Sequence, residues 1–359
     1  MRTKLVPSDA MLDLYSDFLI CSFSATTATG MSTMLQGSVS HDQVTRFLSE
    51  QEHGSKDLWR LVKPAIRQVE TDDGCIIVDD TVEEKPYTDE NDVIAWHFDH
   101  TVGRSVKGIN IVNCAYTNGT VTIPLSFEIV RKTEHFTDEK TRKPKRRAPA
   151  TKNEMFISMF DQIVHNQVKF RYVLGDIWFG SNDNMTHIHT ANKYFVFPVK
   201  DNRTVALSRQ DKLQGHFQAV LSLHLRTCQA RKVYLKGLEF PVLLTKQVFT
   251  NKDGSAGVLY LVTNDLTLDY PGLTAIYQKR WKVEEFHKSI KSNTGLARSP
   301  TQTVRAQSNH FFASIYAYFK LELLKVRRKR NHFALKAELY TRAIQTAFTE
   351  LRRLQAVSV

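Results

Sequence analysis

Two short apolar runs each end on an aspartate. Cys75-Ile76-Ile77-Val78 leads into Asp79-Asp80, and Phe170-Arg171-Tyr172-Val173-Leu174-Gly175 leads into Asp176. Such runs mark buried strands rather than half-exposed ones. Between them, Val106 to Tyr116 and Thr120 to Val130 are β-rich and are joined by Asn118-Gly119, a strong hairpin signal. Met155, Phe156, Met159, Phe160, Ile163 and Val164 then recur at helical spacing. The basic stretch Lys140, Arg142, Lys143, Lys145, Arg146 and Arg147, broken by Pro144 and followed by Pro149, reads as a loop. The chain is therefore α/β, with strand, hairpin pair, helix and strand in that order over residues 71–192.

Strand texture returns over residues 193–266, with clear runs at Tyr194–Phe197, Val233–Leu235, Val242–Leu244 and Val258–Val262. Asn251-Lys252-Asp253-Gly254 supplies a turn there. Helix resumes near Leu273 and continues past Lys291, forming a segment at 267–300. Residues 301–359 read as two helices separated by Lys325, Arg327, Arg328, Lys329 and Arg330. At the other end, residues 1–70 are helical. Ser40 is a good N-cap for an amphipathic helix through Leu48, and a DNA-reading helix-turn-helix or a plain helical bundle both fit. In the first case Ser40, His41, Gln43 and Arg46 are the exposed contacts.

Lys and Arg outnumber Asp and Glu by 49 to 37, a net charge of +12, which favours a polyanionic partner such as nucleic acid. The four cysteines, Cys21, Cys75, Cys114 and Cys228, form no C-x-x-C pair, which argues against a zinc ribbon or redox motif. Cys75 and Cys114 read as buried hydrophobes, and sparse cysteine fits a reducing cytoplasm. Met1-Arg2-Thr3-Lys4 opens no signal peptide, and the uncharged stretch Leu19–Ser40 is too rich in Ser, Thr and Gly to span a membrane. No membrane role is expected.

The most informative local pattern is Tyr277-x2-Arg280-x3-Glu284-x6-Lys291. On one uninterrupted helix, Arg280, Glu284 and Lys291 fall at roughly −60°, −20° and −40° from Tyr277. An acid, two cations and a phenol thus share a face, while Val283, Phe286 and Ile290 bury the other side. By periodicity alone this is equally a solvated charged face. Glu285 falls about 100° from Glu284 and is a poor substitute for it. His97, Asp99 and His100 resemble a metal cluster, although hydrogen bonding is the better reading, because His100 leaves the face that His97 and Asp99 share.

The Tyr277, Arg280, Glu284 and Lys291 spacing resembles the YREK signature of bacterial insertion-sequence transposases of the DDE superfamily. Ile76-Ile77-Val78-Asp79-Asp80-Thr81 is similar to that family's first strand, with its Asp-x-Thr ending. Val173-Leu174-Gly175-Asp176-Ile177-Trp178-Phe179-Gly180 is similar to its second Asp motif. The resemblance runs from about Gly74 to Gly295. It implies an RNase H-like catalytic core interrupted by a β-rich insertion, with helical regions at both ends. It also implies a cut-and-paste transposase that hydrolyses phosphodiesters and transfers strands, whose partners are the terminal inverted repeats and target DNA, bound as duplexes. A homodimer in the active complex and a nucleoid-associated, cytoplasmic location follow from the same likeness.

By that resemblance Asp79, Asp176 and Glu284 are both the catalytic and the metal-binding residues. Three carboxylates can hold two divalent cations about 4 Å apart, and Mg²⁺, with Mn²⁺ as substitute, suits oxygen ligands. The Asp-x-Thr pattern favours Asp79 over Asp80, and alternation lets only one of them face the site. Tyr277, Arg280 and Lys291 inherit a grip on phosphates near the element's end. Lys288 and Arg46 add to the expected DNA contacts. Trp281 stacks on a displaced base or packs in the core; both readings are open. About a hundred residues separate Asp176 from Glu284, room for the insertion. Relatives of this kind trap a flipped base on an aromatic side chain of the insertion. This chain has no Trp between Trp178 and Trp281, which leaves a hairpin step open, with Phe249 or Tyr260 as substitutes. A nuclease without strand transfer and a non-catalytic DNA binder derived from a transposase are the alternative readings.

Overall fold

The computed structural model describes residues 8–99, 102–139, 141–250 and 253–356. The expectations placed on Met1 to Lys4, His100, Lys140 and the Asn251-Lys252 half of the turn lie outside the described residues. Four helices open the chain: α1 (Ser8–Cys21), α2 (Ala28–Met34), α3 (His41–Glu50) and α4 (Ser55–Val69). Strands β1 (Cys75–Glu84), β2 (Ala95–Asp99), β3 (Arg104–Thr117), β4 (Thr122–Ile129), β5 (Glu134–Thr137) and β6 (Pro144–Arg147) follow, then α5 (Lys152–His165), β7 (Tyr172–Leu174) and α6 (Asn182–Thr190). Next come β8 (Tyr194–Val199), β9 (Thr204–Ala206), α7 (Arg209–Leu213), β10 (Gln218–Ala219), β11 (Ala230–Leu235), β12 (Val242–Thr250) and β13 (Ala256–Thr263). Four helices close the described chain: α8 (Tyr270–Gln278), α9 (Trp281–Asn293), α10 (Val304–Arg328) and α11 (His332–Ala356).

All strands except β5 and β6 join one mixed sheet, in the order β10-β9-β11-β12-β13-β8-β7-β1-β3-β2, with β4 also on β3. The middle of that sheet is parallel: β1 pairs with β7 and β7 with β8. The β3–β4 hairpin forms as the Asn118-Gly119 signal requires, with Gly119 at φ 92° and the Asn118 side chain accepting from Thr120 N and Val121 N. Cys75-Ile76-Ile77-Val78 is fully buried. The strands after β8 extend the same sheet through β13, so the β-rich stretch continues the central sheet edge to edge.

Among its described residues the basic run is a loop only at Arg142 and Lys143; Pro144–Arg147 form β6, which pairs with β5 antiparallel, Glu134 opposite Arg147 and Phe136 opposite Lys145. The pairing offsets like charges, because Arg147 bonds Glu134 at 2.9 Å, Lys145 bonds Asp138 at 2.7 Å, and the Arg147 guanidinium lies over the Phe136 ring. The expected single helix through Lys291 starts at Tyr270 and is broken at Lys279–Arg280. There Lys279 N and Arg280 N bond three residues back, to Ile276 O and Tyr277 O. Such an overwound turn changes the rotation per residue, so the angles of an uninterrupted helix do not carry from α8 into α9. The C-terminal basic cluster lies where two helices part, as expected, but only Lys329 and Arg330 of it stand between them. Lys325, Arg327 and Arg328 form the last turn of α10, where cations suit the helix dipole, and Lys329 ends it in the left-handed region.

α10 is buried on nearly all sides. The N-terminal helices close over it: the Tyr15 hydroxyl bonds His310 Nδ1 at 2.9 Å, and Asn309 bonds Leu48 O while accepting from His53 N. Within α3, Ser40 and Gln43 bond each other's backbone in a capping box, so those polar groups are spent on the helix end. No described helix is long and apolar enough to cross a membrane.

Lys336, on α11, donates to the carbonyls of Ile20 and Ser22 at the end of α1, and burial lowers its pKa to about 8. A depressed native pKa means that folding favours the neutral amine. Stability from this site is therefore complete above the ordinary lysine value and falls as pH drops through the window down to about 8. Chemical denaturation of wild type and Lys336→Met from pH 7.5 to 10.5 should show wild type gaining on the variant as pH rises; parallel curves would sink this assignment. In β3, a Cβ at Gly108 would lie 2.2 Å from Glu83 O. Gly108→Ala should cost about 1–3 kcal/mol by overpacking, read as a lowered Tm.

Candidate active site

The site begins with a register. β1 and β7 pair only over Cys75–Ile77 and Tyr172–Leu174, Ile77 standing opposite Leu174. Asp79 and Asp176 each lie two residues beyond that last pair, at the carboxyl ends of neighbouring parallel strands. Ligands of open α/β sheets bind in such a crevice. Gly175 is needed there, because a Cβ would come within 2.9 Å of Val78 and Phe197. Asp176 Oδ1 accepts from Trp178 N at 2.9 Å and Phe179 N at 3.3 Å, which fixes its turn.

α9 lays Glu284 across the same crevice from its first turn, where the helix dipole favours a carboxylate. Its rear face, Val283, Phe286 and Ile290, is buried as periodicity requires. A cavity of about 430 Å³ results, lined by Asp79, Asp176, Glu284, Arg280, Lys288 and Lys291 among others. Burial, and secondly the charge of Asp176, push the Asp79 carboxyl up to about 8, with Arg280 opposing. Burial also raises Asp176, against the two backbone bonds it accepts.

Arg280 does not point outward to a phosphate. Its Nη1 lies 3.5 Å from Asp79 Oδ2 and 3.4 Å from Glu284 Oε1, so the guanidinium bridges two of the three carboxylates. Tyr277 stands beneath it, 5.9 Å from ring centre to guanidinium carbon, and burial lifts the phenol to about 12. Lys291 Nζ donates to Val82 O at 2.6 Å. Trp281 is 64% exposed, which removes the core-packing reading. Lys288 is exposed at the cavity edge, its ammonium 5.1 Å from the Phe333 ring. Arg46 lies on α3 at 4.0 Å from Glu50 and does not line this cavity.

Asp80 takes another role. Its Oδ2 accepts from Lys152 Nζ and Asn110 Nδ2, both at 2.7 Å, although its charge still reaches Asp176. His97 is buried, with Nε2 unpartnered and a pKa lowered to about 3 by burial, Lys132 and Lys152; it joins no ligand cluster with Asp99 among the described residues. Of the aromatic candidates in the β-rich stretch, Tyr260 is buried and Phe249 is 45% exposed, its ring against Gly257.

Sequence reasoning missed His287. One ligand atom from each of Asp79, Glu284 and His287 lies within 4.8 Å of the others. The signal was the spacing Glu284-x-x-His287, which puts both on one helix face. Asn113, opposite Asp79 in the β1–β3 register, lies with Nδ2 2.8 Å from His287 Nε2. Burial, Lys291 and Arg280 lower the imidazole to about 3, so it is neutral and a competent ligand. Two carboxylates and an imidazole are a donor set for a divalent cation, with Mn²⁺ tolerating nitrogen better than Mg²⁺ does. Asp176 borders the cavity but stands outside this trio.

Residues 7–216 match the family model described as DDE superfamily endonuclease, and the chain belongs to that family. The match includes Asp79 and Asp176 and ends before Glu284. No curated protein matches. Among solved structures, the NurA nuclease from Sulfolobus solfataricus is 9% identical, with TM-score 0.26, over 76% of this chain and 92% of that one. A Mos1 mariner paired end complex with Mn is 12% identical, with TM-score 0.19, over 54% of this chain and 60% of that one. Likenesses this loose fix neither fold nor activity.

Divalent cation binding should therefore stabilise the fold. Mn²⁺ at about a hundredfold above its Kd would add about 2.7 kcal/mol, seen as a raised Tm by calorimetry. Asp79→Asn and Glu284→Gln should each remove most of that rise. Equal rises in wild type and both variants would place the cation elsewhere.

Proposed function

We propose that this DDE superfamily endonuclease is a cut-and-paste transposase of the insertion-sequence type, built on an RNase H-like core with the YREK spacing on α8 and α9. The observation that carries the reading is the convergence of Asp79, Asp176 and Glu284, from two adjacent strand ends and one helix, on a single cavity. The order of the central strands, with β1, β7 and β8 parallel, β3 antiparallel beside β1 and β4 antiparallel beyond β3, agrees with such a core.

Asp79, Glu284 and His287 would hold Mg²⁺ or Mn²⁺, with Asp176 beside them. A bound divalent cation supplies Lewis-acid activation of a water or a 3′-hydroxyl and neutralises charge at the departing oxygen. Asp79, with a pKa near 8 when bare, is restrained from ionising fully until positive charge enters beside it. The Arg280 guanidinium already opposes that rise without a metal, and burial with the Asp176 charge outweighs it. With a metal held by the carboxylates, Arg280 would offer a planar fork to a phosphate beside the Tyr277 ring. Lys291 and Lys288 line the same wall, and the exposed Trp281 suits an unpaired base.

Two ends must be held together before strand transfer, and α11 offers the contact. Ala337, Tyr340, Ile344, Ala347, Leu351 and Leu354 alternate at spacings of three and four residues along an exposed face. That is the repeat of a coiled-coil seam, whose occupant is the same helix of a second copy.

In vitro cleavage of DNA carrying the element's inverted repeats should require Mg²⁺ or Mn²⁺. It should vanish in Asp79→Ala, Asp176→Ala and Glu284→Gln, with end binding kept within a fewfold. Cutting that survives Glu284→Gln removes Glu284 from the site. Metal-dependent cutting with no joining of the 3′ end to target DNA favours a plain nuclease. For α11, light scattering should find a dimer for wild type and a monomer for Ile344→Glu combined with Leu351→Glu. A wild-type monomer with paired ends bound would remove α11 from assembly.

A further inference from the structure

The two exposed aromatic residues of β2 belong to no part of the site so far described as acting on phosphate. Trp96 is 54% exposed and Phe98 is 53% exposed, while Ala95 and His97 between and beside them are buried. Strand alternation thus puts both rings on one face. We propose that this face, together with the β5–β6 hairpin, is a platform for an unpaired DNA strand running into the carboxylate cavity. The inference rests on the reading that the chain acts on DNA, and it adds which form of DNA is held and where.

Three observations carry it. Residues two apart on a strand are separated by roughly 6.8 Å, from a rise of 3.4 Å each. That is about twice the 3.4 Å spacing of stacked bases, so one base fits between two such rings. Bases in a duplex have no free face to offer, whereas extruded ones stack on aromatic side chains without regard to sequence. Second, the surroundings of Trp96 are cationic. A cavity of about 540 Å³ is lined by Trp96, Lys132, His135, Lys145 and Arg146, with Glu90 as its carboxylate. Lys107 stands directly across the ladder from Trp96 and so shares its face. Burial and the charges of Lys152 and Arg146 lower the Lys132 ammonium, a crowding that a phosphate would relieve.

Third, the platform is anchored and continuous with the active site. The Trp96 indole N–H donates to Glu90 at 2.8 Å, Arg146 donates to the same carboxylate at 2.7 Å, and Lys132 Nζ donates to Trp96 O at 2.5 Å. The ring is thereby tied to the basic hairpin. One step along β2, Phe98 and Asp99 line the cavity that holds Asp79, Asp176 and Glu284. A strand with a base between Trp96 and Phe98 would have its backbone at the basic hairpin on one side and at the carboxylates on the other.

Binding of a fluorescent oligo-dT and of a blunt duplex of equal length, in EDTA to prevent cleavage, tests the platform. Stacking is worth about 1–3 kcal/mol per base, so Trp96→Ala and Phe98→Ala should each weaken oligo-dT binding about 5- to 150-fold. Duplex affinity should stay within about twofold, Trp96→Phe should restore most of the loss, and each variant's Tm should match wild type. Wild-type oligo-dT affinity in both alanine variants, or equal losses for duplex and single strand, would overturn the platform alone. A wild type that binds neither oligonucleotide would overturn the DNA reading itself.

Discussion

The parallel pairing of β1 with β7 stops at Ile77 and Leu174, and everything chemical in this molecule depends on where it stops. Two more pairs would have drawn Asp79 and Asp176 into that ladder. One fewer would have let them drift apart. Ending there leaves two carboxylates side by side at a strand opening, with α9 free to bring a third. The arrangement is unfavourable by itself. Burial and mutual repulsion raise Asp79 to about 8, against the Arg280 guanidinium and the Asp80 N–H that its carboxylate accepts. Strongly perturbed carboxyl groups facing one another in a cleft are a mark of function, because no fold needs them for stability.

Such a site requires rigid support, and α9 has it on two sides. Phe286 meets Tyr318 of α10 edge to face at 4.6 Å, and Ser289 bonds His332 of α11 at 2.8 Å. α10 is in turn clasped by α1 and α3 through Tyr15, Asn309 and Lys320. The beginning and end of the described chain therefore both serve to fix Glu284 over β1. Helices at the N-terminus that the sequence offers as DNA readers are, whatever else they contact, part of that clamp.

The strand ends were legible because burial writes itself into composition: Cys75–Val78 and Tyr172–Leu174 contain nothing a solvated strand would tolerate. The side chains of the YREK spacing were legible as a set but not in direction. Helical angles assume one continuous rotation, whereas the turn at Lys279–Arg280 is overwound and Arg280 is drawn inward by carboxylates distant in sequence. The β5–β6 hairpin escaped for a related reason. A basic run looks like a loop until Glu134 stands opposite Arg147 and Asp138 pairs with Lys145, and register across strands is not a local property. Ser40 and Gln43 illustrate the converse. Their capping signal was correctly local, and it ties the Ser40 hydroxyl and the Gln43 amide oxygen to the helix end. His287 was visible at i+3 from Glu284 but carries weight only once Asp79 is known to lie opposite.

The charge of the chain and the charge of its cavity have opposite signs, and the contrast explains their division of labour. With +12 overall, the surface draws a polyanion in and holds it by its phosphates at a strength set by salt. The cavity, with Asp79, Asp80, Asp99, Asp176 and Glu284 against Arg280, Lys288 and Lys291, disfavours the same phosphates at close range. A phosphodiester beside Asp79, Asp176 and Glu284 is favoured by further positive charge, which a divalent cation held by those residues would supply. On the proposed function, binding and cutting would therefore be separable: the basic surface would hold DNA without a metal, and chemistry at the acidic centre would call for one.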